Sequence, residues 1–229
     1  METSRQEKAA AQGYDRWAAS YDDHDPSTWL DAPFLLQHLY AFPGCRILDL
    51  GCGTGRYVRL LPDSPSRIVG VDLSRNMLVR ARARIADRTD IRLVQASVTS
   101  LPFVAGSFDR VISGLVIDHV ASAKDLFKEI AVVLAPQGHA VIAAVHPDMQ
   151  RITGSDIVVA ASDQYVIRIP GCLHEVEELL TAARHAGLTL IAKDEPPVTP
   201  AMLAHRPQWR RKLGCPALVL LVLAKNNTG

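Results

Sequence analysis

The sequence lacks an excess of charge of either sign. Its 229 residues contain 25 Lys and Arg against 24 Asp and Glu, which gives a formal net charge of +1. Proteins that bind nucleic-acid backbones usually carry a strong basic excess, so this balance argues against DNA or RNA as a partner. Hydrophobic residues make up 48% of the chain and charged residues 21%, a composition that predicts a folded domain with a sizeable core.

Paired cysteines and long apolar runs are also missing. No C-x-x-C pair and no His/Cys cluster with zinc-ligand spacing occurs, so we expect free thiols in a reducing compartment and no metal site. Residues 1–12 contain no apolar stretch of the kind found in secretory signals. The longest apolar run, 217–224, is too short to cross a bilayer and predicts a buried strand. The sequence therefore predicts a cytoplasmic protein without a membrane partner.

Short apolar runs alternate with helical patterns in the middle of the chain. This alternation predicts a parallel α/β sheet with right-handed crossovers. The rhythm changes after residue 146, where β-branched runs between 157 and 169 predict a hairpin and residues 173–186 predict a helix. The predicted strands are 45–50, 67–71, 91–95, 108–113, 139–145, 188–192 and 218–223.

A glycine-rich turn follows the first predicted strand. Gly51, Gly53 and Gly55 alternate with Cys52 and Thr54, and a helical pattern begins directly afterwards. Glycines permit positive φ angles and let the backbone approach a ligand closely, while a helix N-terminus offers free N–H groups. Sites for dinucleotides and for S-adenosylmethionine (SAM) share these features.

Two carboxylates and the glycine spacing separate these two kinds of site. The pattern is G-x-G-x-G and not G-x-G-x-x-G. Asp49 precedes the first glycine by two positions, and a carboxylate there suits a cationic amino group better than a pyrophosphate. Asp72 ends the second strand, where an acidic side chain can bind both ribose hydroxyls of an adenosine. The pattern therefore favours SAM.

The segment Ile47–Arg56 resembles motif I of the class I SAM-dependent methyltransferases, and Asp72 matches the acidic residue that follows it. Residues 95–103, 107–113 and 134–138 resemble later segments of the same family. The pattern Tyr14-Asp15-x-x-Ala18-x-x-Tyr21-Asp22 resembles the N-terminal signature of the type 11 branch, which includes the ubiquinone and menaquinone biosynthesis methyltransferases.

This resemblance covers roughly residues 14–145 and implies an architecture. We expect a Rossmann-like, doubly wound sheet of seven strands, mostly parallel with an antiparallel last strand, and an N-terminal helical lid. It further implies three regions: a helical arm over 1–43, a SAM-binding core over 44–145, and a part that completes the sheet and binds the acceptor over 146–229.

The resemblance also implies roles for individual residues. Asp49 supports the methionine amino group, directly or through the turn, and Asp72 binds the ribose. The family often has an Asp that contacts the adenine amino group where this chain has Ser97, whose hydroxyl is a weaker acceptor. The full set of implied SAM-binding residues is Tyr14, Tyr21, Asp49, Gly51, Gly53, Gly55, Asp72, Leu73, Met77, Ser97, Val98 and Ser113.

Two histidines are candidate catalytic residues. His119 follows the fourth strand, where related methyltransferases often place a histidine near the transferred methyl group, and His146 follows the fifth strand. An imidazole titrates near neutral pH and can take a proton from a nucleophile. A structural hydrogen bond is the alternative role for each.

The resemblance implies methyl transfer from SAM to a small molecule, with oxygen, nitrogen, sulfur or carbon as the acceptor atom. Three alternatives remain open on sequence alone. They are a nicotinamide-dependent oxidoreductase, a SAM-binding protein without catalysis, and a methyltransferase of macromolecules. The oligomeric state cannot be read from the sequence.

Overall fold

The structure is a computed structural model that describes residues 5–24, 31–61, 67–162, 165–204 and 207–226. It contains eight helices and nine strands over these residues, joined in places by short 3-10 turns. The helices are α1 (Arg5–Trp17), α2 (Tyr21–His24), α3 (Ala32–Leu39), α4 (Arg56–Leu60), α5 (Arg75–Arg84), α6 (Ala123–Val133), α7 (Pro147–Thr153) and α8 (Val176–His185). The strands are β1 (Arg46–Leu50), β2 (Arg67–Asp72), β3 (Ile91–Gln95), β4 (Phe108–Gly114), β5 (Leu134–Val145), β6 (Ile157–Ser162), β7 (Tyr165–Ile169), β8 (Leu188–Asp194) and β9 (Leu218–Lys225).

Seven strands form one sheet in the order β3-β2-β1-β4-β5-β9-β8. The neighbours from β3 to β5 pair in parallel, and β9 pairs antiparallel with both β5 and β8. The predicted seven-stranded, doubly wound sheet with an antiparallel last strand is therefore confirmed. The strand order reverses direction between β1 and β4, which opens a crevice at their carboxyl ends.

The structure differs from the sequence prediction at two elements and confirms it at a third. Strand β5 begins at Leu134 and not at residue 139, although Gln137 within it has a φ of +61°. Helix α7 was not predicted; Pro147 at its first turn fixes a helical φ, and Gly154 with a φ of +84° ends it. The predicted hairpin after residue 156 is confirmed as the antiparallel pair β6–β7, which forms a separate two-stranded sheet.

Apolar layers cover both faces of the large sheet. One layer packs α6 and α8 on the sheet through side chains such as Leu126, Phe127 and Leu179. The other layer packs α3 and α4 through Leu35 and Tyr57. Among the described residues, no helix combines the length and the apolarity needed to cross a lipid bilayer.

Helix α1 packs against the β6–β7 pair and lies over the carboxyl ends of the parallel strands. Ala10 and Trp17 form a small core with Ile167 and Ile169. A Cβ atom on Gly13 would lie 2.7 Å from Cγ1 of Ile169, so the helix and the strand can approach closely only because this residue is glycine. The N-terminal arm is thereby positioned as a cover over the crevice.

Candidate functional site

A cavity of about 550 Å³ lies at the carboxyl edge of the parallel strands. Residues just beyond the ends of β1 to β5 line it, including Gly51, Asp72, Ser97, Gly114 and Val145. Helix α1 covers one side, and residues from α7, β6 and the 207–212 turn close the other. The volume is that of a small-molecule site.

The glycine turn forms part of the cavity wall. Gly51 has a φ of +66°, and a Cβ there would lie 2.2 Å from Cγ2 of Val116. Gly53 has a φ of +54°, lines the cavity, and has no atom within 4 Å of the place of a Cβ. Gly55 does not line the cavity; it precedes α4 and faces Ala81. Gly51 therefore makes room for the side chain of Val116, and Gly53 leaves room for a ligand against the backbone.

Asp72 connects the glycine turn to the next helix. Its carboxylate accepts hydrogen bonds from the N–H groups of Gly53, at 2.9 Å, and Ser74, at 2.8 Å. Burial raises the pKa of Asp72 to about 6, although these two N–H groups act in the opposite direction. Leu73 and Met77, both predicted to bind the cofactor, line the cavity beside it.

Asp49 is fully buried on β1 and does not line the cavity. Neither of its carboxyl oxygens has a hydrogen-bond partner among the residues that the structure describes. Burial raises its pKa to about 8; Arg56 lowers this pKa, whereas Asp72 and Asp31 raise it further. Burying a carboxyl group without a hydrogen-bond partner is costly, and this cost is what raises the pKa of Asp49.

Arg56 is a cavity residue that the sequence analysis did not single out as a site residue. Its guanidinium donates to Asp31 at 2.9 Å and to the hydroxyl of Tyr57 at 2.7 Å, and Tyr57 in turn donates to Asp31. Asp31 is completely buried, so this network compensates the carboxylate with a positive charge and two donors. The only sequence signal was its place directly after Gly55.

Beyond β3, the structure brings a carboxyl group to Ser97 from another part of the chain. The hydroxyl of Ser97 donates to Oε1 of Glu7 at 2.7 Å, and the hydroxyl of Thr99 donates to the same oxygen at 3.0 Å. Glu7, Ser97 and Val98 all line the cavity. Glu7 was missed by the sequence analysis, although it lies seven residues before Tyr14 and therefore on the same face of α1.

The aromatic residues of the arm meet over the cavity. Tyr14, Trp17 and Tyr21 all line it, with ring centroids 6.0 Å apart for Tyr14 and Trp17 and 4.7 Å apart for Trp17 and Tyr21. Asp15 ties the arm to the start of α5, because its Oδ1 accepts from the hydroxyl of Ser74 at 2.6 Å. The aromatic side chains of α1 and Tyr21 therefore form one wall of the cavity.

His119 lies in the cavity wall and contacts the arm. Its Nδ1 is 2.9 Å from the carbonyl oxygen of Pro170, which can only accept, so Nδ1 carries the hydrogen. Nε2 is then the acceptor of the Tyr14 hydroxyl, at 2.8 Å. Burial lowers the pKa of His119, which favours the neutral imidazole.

Besides Asp49 and Gly55, two predicted residues lie away from the cavity. His146 is buried and caps α7, where its Nδ1 accepts from the N–H of Asp148 at 3.1 Å. Ser113 is buried inside the sheet, between Leu50 and Ile142. The residues that reach the cavity after β4 come directly afterwards and begin with Gly114.

The side of the cavity facing away from the glycine turn is polar and mixed in charge. Asp118 accepts hydrogen bonds from the N–H of Val145 at 3.1 Å and from the side-chain amide of Gln150 at 2.8 Å. Burial raises the pKa of Asp118 to about 7. Trp209 and Lys212 reach the same cavity from the loop before β9, with Nζ of Lys212 6.0 Å from the centre of the Trp209 ring. Arg206, which precedes the 207–212 turn, lies outside the described residues.

Comparison with known proteins gives a consistent result. Residues 48–142 match the family model described as a methyltransferase domain. The chain is 32% identical over 131 residues to the malonyl-[acyl-carrier protein] O-methyltransferase of Enterobacter lignolyticus, covering 57% of this chain and 51% of that protein. It is 37% identical over 99 residues to the demethylmenaquinone methyltransferase of Clavibacter sepedonicus, covering 43% and 40%. The chain thus spans about half or less of the length of these curated relatives.

One solved structure extends the similarity over most of the chain. The S-adenosylmethionine-dependent methyltransferase from Mesorhizobium loti superimposes with a TM-score of 0.69 and 26% identity. The superposition covers 85% of this chain and 97% of that protein.

Proposed function

Residues 48–142 belong to the methyltransferase-domain family, and from that premise we propose that the whole chain transfers the methyl group of SAM to a small-molecule acceptor. SAM is the cofactor of this class I domain. The observation that carries the proposal is the shared cavity, in which the glycine turn, Asp72 and the aromatic face of α1 meet. The cavity has room for the cofactor and for part of an acceptor beside it.

The residues present fit SAM. Gly53 leaves open space beside the backbone, and Asp72 is at the wall with lone pairs left for ribose hydroxyls. Leu73 and Met77 offer an apolar surface to the adenine ring. The carboxyl group of Asp49, which has no hydrogen-bond partner among the described residues, suits the positive charge at the methionine end of SAM. The two charges would attract each other across the glycine turn, without direct contact.

When bound, SAM supplies a methyl group on a sulfonium centre whose leaving group is a neutral thioether. The task of the protein is therefore to hold the acceptor in line and to exclude water. Tyr14, Trp17 and Tyr21 cover the cavity, and their rings can stabilise a nearby cation. Each of the three regions has its own part in this work. The N-terminal arm covers the cavity, residues 44–145 bind SAM, and residues 146–229 contribute the part of the cavity wall that contacts the acceptor.

His119 is the proposed base for acceptors that lose a proton. Its neutral form and its Nδ1–H bond to Pro170 leave Nε2 as the basic atom. Because the hydroxyl of Tyr14 already donates a hydrogen bond to Nε2, a proton from the acceptor would pass to the Tyr14 oxygen as the Tyr14 proton moves to Nε2. We assign no catalytic role to His146, because it caps α7 outside the cavity.

The acceptor itself is proposed only as a class. The named relatives act on different compounds, so their acceptors do not transfer to this chain. Asp118 and Lys212 offer an acceptor and a donor of hydrogen bonds in the same cavity, and Trp209 offers an apolar face. These groups favour a small molecule that has a polar substituent on an apolar body.

Titration calorimetry with S-adenosylhomocysteine tests the proposal. Asp72→Asn removes the negative charge of the side chain that we assign to the ribose hydroxyls. We expect the affinity for S-adenosylhomocysteine to be at least about tenfold lower, as for a lost hydrogen bond to a charged group. Asp87→Asn is the matched control, since its side chain is 65% exposed and outside the cavity. Equal affinities of the two variants, or no binding by the wild type, would refute the assignment. Transfer of a labelled methyl group from SAM to phenols, quinols or carboxylic acids would identify the acceptor class.

A further inference from the structure

Glu7 is an acidic residue in the wall of the cavity whose position the sequence motifs do not account for. It lies on α1 and is only 7% exposed. Its Oε1 atom accepts two hydrogen bonds, from the hydroxyls of Ser97 and Thr99. Glutamate is almost never buried unless it has partners, so a buried one that lines a ligand cavity is a candidate recognition group.

The wall near Glu7 has the shape and chemistry of a slot for a flat heterocycle. Asp72 and Gln95 are paired neighbours at the carboxyl ends of β2 and β3, so the residues that follow these strands lie side by side. Apart from Ser97, which donates to Glu7, those that line the cavity are apolar, namely Leu73, Met77 and Val98. An apolar slot beside a ribose-binding carboxylate fits a purine, and the purine edge facing α1 needs a polar partner.

We propose that Glu7 recognises the exocyclic amino group of the adenine ring, an inference that rests on the proposed binding of SAM. A carboxylate oxygen is an acceptor, so it complements the N–H of a 6-amino group. A 6-oxo purine places an acceptor at the same position, and two facing acceptors repel each other. Glu7 therefore selects adenosyl over inosyl ligands.

The two hydroxyls hold this carboxyl group in place before a ligand arrives. Ser97 and Thr99 donate to one oxygen of Glu7, and the N–H of Thr99 donates to the hydroxyl of Ser97 at 3.1 Å. A group fixed in its binding orientation loses less entropy when the ligand binds. Because Glu7 belongs to α1, recognition also requires the arm to lie in its closed position, which Asp15 secures at the start of α5.

The test compares S-adenosylhomocysteine with S-inosylhomocysteine, which differs by an oxo group in place of the amino group. Titration calorimetry of the wild type should give a preference of roughly ten- to hundredfold for the adenosyl ligand, the range of a hydrogen bond to a charged group. Glu7→Gln keeps an oxygen for Ser97 and Thr99 but can turn an N–H toward a 6-oxo group. We expect the preference to fall to near unity or to reverse.

Two further variants separate recognition from a structural role. Glu177→Gln, on the exposed face of α8, is the matched control and should keep the wild-type preference. The double variant Glu7→Ala with Ser97→Asp returns a carboxyl group to the same place from the β3 side and should restore the preference for the adenosyl ligand.

The outcomes distinguish this inference from the proposed function. If Glu7→Gln weakens both ligands by the same factor, Glu7 only holds the arm and the inference is overturned. Equal affinity of the wild type for the two ligands also overturns it, while the binding of SAM stands. If the wild type binds neither ligand, the proposed function fails as well.

Discussion

Replacing Asp49 with Asn should stabilise the ligand-free protein at pH 8 and weaken its binding of S-adenosylhomocysteine. Asp49 is fully buried, and neither carboxyl oxygen has a partner among the described residues. The charged groups that act on it are Arg56, which favours ionisation, and Asp72 and Asp31, which oppose it. An uncharged amide of the same shape removes the cost of burying a negative charge.

The magnitude follows from the pKa of Asp49, which burial raises from 3.8 to about 8. The folded state therefore binds the proton more tightly than the unfolded state does. The contribution of the Asp49 carboxyl group to the free energy of unfolding is fully present below pH 4. It is lost as the pH rises through 8, at about 1.4 kcal/mol per pH unit. Between pH 5.5 and pH 8, the wild type should lose about 3 kcal/mol that the Asn variant keeps.

Urea denaturation of both proteins at several values between pH 5.5 and pH 8 measures this difference. Asp72 and Asp118, whose pKa values are also raised, are present in both proteins and cancel in the comparison. The affinity of the wild type for S-adenosylhomocysteine should rise over the same range, because the ionised carboxylate attracts the ligand's ammonium group across the turn. In the Asn variant, the affinity should be lower at pH 8, and only the rise that follows the ionisation of Asp72 near pH 6 should remain. Parallel stability curves for the two proteins would refute this reasoning.

Two other substitutions test the site with built-in controls. Gly53→Ala and Gly44→Ala both place a Cβ at a positive φ, +54° and +82°, in open space, so each should cost about 1 kcal/mol of stability. Only Gly53 lines the cavity, so only its variant should lose affinity for S-adenosylhomocysteine by calorimetry; equal losses would contradict the assigned wall. Arg56→Met leaves the carboxylate of Asp31 buried without its cation, and we expect a loss of about 3–5 kcal/mol in urea denaturation at pH 7. An unchanged free energy of unfolding would contradict this account of the ion pair.

The sequence alone determined the parallel part of the fold and the centre of the site. Strand β3 was predicted with its observed bounds, and Ser74, a residue type that favours helix N-caps, caps α5 in the structure. These predictions succeed because the signals are local: an apolar run of strand length, a glycine turn with a carboxylate on either side, and a capping side chain. The relation between Gly53 and Asp72 also follows, because consecutive parallel strands place their ends at the same edge.

Tertiary structure decided which side chains share the cavity. Nothing in the sequence indicates that Glu7 meets Ser97, ninety positions later. Two other residues show the same limit. His146 directly follows a strand and yet caps a helix, and Asp118 lines the cavity although the sequence analysis did not single it out. The physical reason is that a motif fixes backbone conformation over a few residues. Burial, charge pairing and the placement of a covering helix depend on contacts between segments far apart in the chain.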